Sequence, residues 1–392
     1  MKGCVQAALA GLLLVGAGCA TTAPPPPRTG DIFLDAPAAL ERGPARDRVL
    51  WQYRLALAEL RRGRFDAARP VLDDALLTLG GAFGPNAEAR KSRRLFQAEA
   101  GKTFIGEPYE RAMAYFYRGI LYWRAGELDN ARACFRSAQF EDSDSEQGQY
   151  RNDYVLFDYL DGLATAKLGG DGRDAWERAV QSARGAKPPP YDLAVNTLVF
   201  LDFGPGPLKY AGGEHGEQLR FRTAVSPVQA VQLRVSGQIV TVQSADDLNF
   251  QATTRGGRVM DHVLAGQAVF KATADSLGDA AILGGAILAG TSPRKSNQNE
   301  IGAGLMIAGV LGKIAAAATR PEADTRTWEA LPQFLALGQF RLPPGEHTLT
   351  VDFLDAGGRA KPSLQKQITF TVPDRRDAVI YVSDQSTTPQ TQ

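Results

Sequence analysis

One proline-rich break limits the fold of this chain more than any other feature. Residues 185–192 read GAKPPPYD. Pro188, Pro189 and Pro190 cannot continue a helix, because proline lacks the N–H that the i−4 carbonyl requires. Before the break, apolar residues recur at helical spacing. After it come NTLVFLDFG, LRFRTAV, VQAVQLRVSG and QIVTVQ, and later FLALGQFRL, HTLTVDFLD, KQITFTV and AVIYVSD. These runs are short, rich in β-branched and aromatic residues, and have a period near two. Helices in one half and strands in the other define an α+β multidomain chain, and 392 residues suit two domains. The expectation is a helical domain over residues 38–186, then an antiparallel β-sandwich over residues 192–384, then a disordered tail, 385–392.

Within the helical region, the segment AMAYFYRGILYWRAGELDNARACFRSA places Gly119, Tyr122, Gly126, Ala131, Phe135 and Ala138 at the spacing of a tetratricopeptide hairpin. Small residues at 119, 131 and 138 allow two helices to approach closely, Tyr122 and Phe135 fill the gap, and Gly126 opens the turn. YRLALAELRRGRFDAARPVLDDAL repeats the second half with Gly63, Phe65, Ala68, Leu72 and Ala75. There Pro70 is expected to delay or kink the second helix. A weaker third copy carries Gly162, Trp176 and Ala179, and the polar stretch 80–111 is expected to add a helix. Such arrays present a concave surface that takes peptide segments, or serve as a scaffold for a neighbouring domain.

The two groups of strands are separated by an apolar helical insertion, residues 258–318, so they are expected to pair in space. Small residues recur in it at four-residue steps: Ala281, Gly285 and Ala289, then Gly304, Ala308, Gly312 and Ala316. Such stripes let helices pack closely. Each run is shorter than the roughly 20 residues that span a bilayer. The main expectation is a buried hairpin, and the alternative is self-association or lipid contact.

The N-terminus holds Lys2, an apolar run to Ala17, and VGAG before Cys19. These are the parts of a secretory signal, residues 1–18. The run resembles a lipobox, with Gly16 where Leu is usual. The resemblance implies acylation of Cys19. ATTAPPPPRTGD follows and reads as a polyproline spacer, so residues 19–37 are expected to be a tether. Ala20 in place of Asp favours the outer membrane, facing the periplasm. Of the other cysteines, Cys4 lies in the signal, and Cys134 has the helical spacing of a small core residue.

In this order, the lipobox, the degenerate hairpins, VFLDFGPGPLKY, EADTRTWEALP and LPPGEHTLTV resemble a family of uncharacterised bacterial tetratricopeptide lipoproteins. EADTRTWEALP, residues 322–332, is the most specific part. The resemblance implies architecture and envelope location and leaves the mechanism open. From the residues themselves, Asp324, Arg326 and Trp328 form a structural or binding motif. Arg326 is expected to pair with Asp324 or stack on Trp328 and pin the strand after Pro332.

No reaction is legible. His215, His262 and His347 stand in no metal-ligand spacing, and no nucleophile elbow or phosphate loop occurs. Asp73-Asp74 and Asp246-Asp247 read as solvated faces and turns. With 44 Lys+Arg against 43 Asp+Glu, no pull toward nucleic acid follows. No catalytic residue, cofactor or metal is expected. The reading is a non-catalytic envelope scaffold that binds a protein or peptide partner and is held to the membrane by its lipid. A homo-oligomer remains open. The alternatives are an oligomerising or lipid-contacting component and an enzyme acting on cell-wall polymers.

Overall fold

The computed structural model describes residues 28–82, 103–143, 152–213, 218–254 and 323–392. The signal segment, Cys19, most of the spacer, most of the 80–111 stretch, His215, His262 and the apolar insertion lie outside the described residues. Among the described residues, no helix is long and apolar enough to cross a membrane.

Among the described residues, seven α-helices precede the break. Helix α1 (Ile32–Arg42) leads into three consecutive hairpins. These are α2 (Arg48–Arg61) with α3 (Phe65–Ala82), α4 (Pro108–Ala125) with α5 (Leu128–Asp142), and α6 (Val155–Lys167) with α7 (Arg173–Ser182). The small residues act as their spacing implies. A Cβ on Gly119 would lie 2.6 Å from the Phe135 ring, and Ala131 and Ala138 are fully buried. Gly126 ends α4 at φ +83°, a conformation open to glycine at no steric cost. Cys134 is buried in this core, and burial pushes its thiol up to about 12.

The tether's extent is corrected here, and one of the two alternatives for Pro70 falls. Helix α1 begins inside the stretch 19–37 taken as tether. Asp31 caps it by accepting from the Phe33 N–H, and Asp35 accepts from the Thr29 N–H, the Thr29 hydroxyl and the Gly30 N–H. Helix α3 does not start late: it begins at Phe65 and carries Pro70 inside it.

All eight strand-like runs form strands, and among the described residues three further short ones join them. Strands β1 (Thr197–Pro205), β2 (Leu208–Gly212), β3 (Gln218–Arg222), β4 (Ala230–Val235), β5 (Gln238–Gln243) and β6 (Asp246–Asp247) come first. Helix α8 (Leu248–Thr253) follows, then β7 (Pro332–Phe340), β8 (Gly345–Leu354), β9 (Lys366–Val372), β10 (Ala378–Ser383) and β11 (Gln390–Thr391). One sheet has the order β10-β1-β7-β6 and another the order β11-β9-β8-β4-β5, while β2 and β3 form a separate ribbon. Strands from both sides of the insertion pair, as β1 with β7 and β4 with β8. The sandwich is not wholly antiparallel. β10 runs parallel to β1, and β11 runs parallel to β9. β10 follows β9 of the other sheet and crosses over to reach β1, which leaves it pointing the same way. The tail is ordered, contrary to expectation. Gln392 donates its N–H to the Thr369 carbonyl, and the Gln390 side chain donates to the Arg61 carbonyl.

The layers explain why β1 lacks alternation. Val199, Leu201 and Phe203 face the second sheet and pack with Val231, Leu233, Val351 and Phe370. Leu198 and Phe200 face the helices and join the core that holds Phe116, Tyr117, Leu160 and Tyr381. A strand covered on both faces reads as a continuous apolar run. The first helix of each hairpin (α2, α4 and α6) packs on β10 or β7. The inner side of the helical array is therefore filled by the chain's own sheet.

Candidate functional site

A cleft of about 350 Å³ opens where the spacer's end, α2 and residues 325–329 meet. Helix α2 buries Leu50, Tyr53, Leu57 and Leu60 and leaves Trp51 and Arg54, three apart, on its adjacent flank. The Arg28 and Arg54 guanidiniums sit over the Trp51 ring, 5.3 and 4.9 Å from its centroid. Arg54 also donates to Glu329 (2.9 Å) and to the Thr327 carbonyl (3.1 Å). Arg326 forks onto Asp324 (2.9 and 2.6 Å) and donates to Asp47 (2.7 Å). Burial lowers the Arg326 pKa, but the bonds and charge of Asp324, then of Asp47, outweigh it and leave the pKa raised.

The three motif residues thus come together, in two roles. Asp324 and Arg326 pair as expected and line or flank the cleft. Arg326 stacks over Phe104 (5.4 Å) rather than Trp328. Trp328 is fully buried, stacked on Tyr53 at 4.6 Å. Its backbone N–H donates to Glu110 Oε1 (2.8 Å). Glu110 is the N3 residue of the α4 capping box, and its Oε2 accepts from the Glu107 N–H (2.7 Å) and from Lys209 Nζ. Lys209, on β2, also donates to the Arg326 carbonyl (2.8 Å). Burial pushes the Glu110 carboxyl up, against the opposing charge of Lys209. Arg28, Asp47, Trp51 and Arg54 were not singled out from sequence. The available signal was an aromatic–arginine pair beside, rather than on, the apolar stripe of α2.

Two other buried carboxylates do structural work. Asp202, in the middle of β1, accepts from the Tyr117 and Tyr381 hydroxyls, each at 2.6 Å, and Arg61 lies 3.9 Å away. Burial, then the Asp202 charge, raises both tyrosines well above their usual range. A carboxylate amid VFLDFG was the sequence signal. Asp246 is no solvated turn residue. It is buried and accepts from the Val155 and Leu156 N–H groups at 2.8 Å each, capping α6 from the sheet. Burial pushes its carboxyl up to about 7. Asp247 caps α8, Asp73 pairs with Arg118, and Asp74 pairs with Arg48.

His347 is half-buried and bonds Ser236 and the Pro343 carbonyl. Among the described residues, no group of three or more His, Cys, Asp or Glu side chains is placed to hold a metal ion. No family model matches the chain, and no curated protein or solved structure is found to resemble it.

Proposed function

We propose that the chain is a non-catalytic lipoprotein of the bacterial cell envelope, acylated at Cys19, in the outer membrane and facing the periplasm. It would act there as a rigid docking scaffold. Three consecutive hairpins with close-packed small residues support a tetratricopeptide-like arrangement. The observation that carries the reading is the filled inner face of that array. Peptide binding in the concave groove is replaced by packing of the chain's own sheet. Partner proteins would meet the outer helices, where Leu77 and Phe140 are 74% and 67% exposed.

Photo-crosslinking residues placed at Leu77 and Phe140 in the native envelope test this reading. Discrete protein adducts at these positions are expected. Adducts formed only at Trp51 would move docking to the cleft, and the absence of adducts at all three positions would refute the scaffold. In the same cells, Cys19→Ala is expected to lose acylation and leave the membrane fraction. A variant that stays tightly bound would refute the lipid anchor.

A further inference from the structure

Among the described residues, the two sandwich sheets have four edges, and three are blunted. β6 and β11 are two residues long. Along β10, the Gln392 side chain accepts the Tyr381 N–H (3.0 Å) and donates to the Tyr381 carbonyl (2.8 Å), while Ser386 Oγ accepts the Ser383 N–H (2.9 Å). The tail thus imitates a neighbouring strand. β5 differs. Its sequence, QIVTVQ, carries no charge and no proline, and it pairs with β4 through all six residues without a bulge. Exposed edges of this kind are normally protected by Lys, Pro or a bulge, because a bare row of N–H and C=O groups templates another strand.

The hairpin turn fixes which groups are bare. Ser236 and Gly237 both have positive φ, +49° and +78°, as a two-residue type I′ turn requires. The flanking pair Val235–Gln238 is then hydrogen-bonded, and bonding alternates from there. Ile239, Thr241 and Gln243 therefore direct their N–H and C=O groups away from β4. Among the described residues, these groups have no backbone partner. Val240 and Val242 pack inward on the sandwich core, and Ile239 is 64% exposed on the outer face.

We propose that β5 is a self-association edge, pairing antiparallel with β5 of a second copy of this chain about a two-fold axis at Thr241. In that register, Val240 faces Val242 of the second copy, so the inward valine row continues from one sandwich into the next. Ile239 faces Gln243, and Thr241 faces its own copy. No like charges meet across the axis, as an isologous contact demands. Moving the axis to Val240 would set Gln238 against Val242, polar against apolar. The contact is small, so a reversible dimer of modest affinity follows. It depends neither on the lipid anchor nor on partner docking.

Sedimentation of the full chain in detergent over a range of concentrations is expected to show a reversible dimer. Thr241→Pro removes an outward N–H and spares the β4 ladder. It is expected to raise the dissociation constant at least about tenfold, with unchanged circular dichroism and melting. Thr241→Cys would bring two Cα atoms to about 5.5 Å, within disulfide reach, and is expected to crosslink under mild oxidant beyond the parent chain. In Gln243→Cys, the two Cα atoms lie roughly 13 Å apart, and no added crosslink is expected. A chain that stays monomeric, a dimer indifferent to Thr241→Pro, or crosslinking at 243 and not at 241 overturns the proposal.

Discussion

Breaking the Glu110–Lys209 pair should loosen three elements at once. The two side chains are almost wholly buried, at 0% and 1% side-chain exposure. Through them α4, the β2–β3 ribbon and residues 326–328 are joined, because Glu110 also holds the Trp328 N–H and Lys209 the Arg326 carbonyl. Removing one partner leaves the other charge buried without compensation, which costs about 3–5 kcal/mol. Glu110→Leu and Lys209→Met should each fall in that range, measured by urea unfolding with circular dichroism. The double variant removes both charges and should be less destabilised than the sum by at least about 2 kcal/mol. Amide exchange at Trp328 should quicken in Glu110→Leu and in the double variant, since both lose its acceptor. Two single losses that simply add would refute the coupling, and so would a Trp328 amide that exchanges as slowly as before.

Asp246 gives a pH signature. Its folded pKa of about 7 lies above the usual 3.8, so the folded chain holds this proton more tightly than the unfolded one. The resulting stability is complete below about pH 4 and is lost as pH rises toward 7, with a slope of up to about 1.4 kcal/mol per pH unit. Asp246→Asn should flatten that part of the profile in urea midpoints from pH 4 to 8, and equal slopes in the two proteins would count against the burial argument. Gly119→Ala would push a methyl group to 2.6 Å from the Phe135 ring. It should cost about 1–3 kcal/mol by overpacking, and an unchanged denaturation midpoint would show that the two helices do not meet as closely as described.

Much of the architecture was legible because it is local. Ala131 and Ala138 sit two turns apart on α5, so their common face follows from period alone, and Gly119 on α4 lies across a tight turn from them. The eight strand runs were legible for the same reason. The motif at 324–328 was half legible: Asp324 and Arg326 are two residues apart and pair as neighbours, whereas the stacking partner of Arg326, Phe104, lies far off in sequence. Trp51 and Arg54 were passed over because a polar helix flank is usually just solvated, and only the return of residues 325–329 turns it into a cleft. Asp246 was misread because its partners, the N–H groups of Val155 and Leu156, lie about ninety residues earlier.

By itself, then, the sequence determined where helices stop and strands start, which residues let helices approach, and which faces are apolar. Those properties depend on backbone geometry and on the spacing of side chains within one element. The tertiary structure alone decided what covers each face. It set the sheet into the inner side of the helical array, laid the tail along β10 and β9, enclosed Asp202 and Asp246, and left β5 bare. Periodicity records that a face is buried, but an apolar face is complementary to any other apolar face of similar shape. Which one wins is settled by long-range packing and by the need to satisfy every buried polar group.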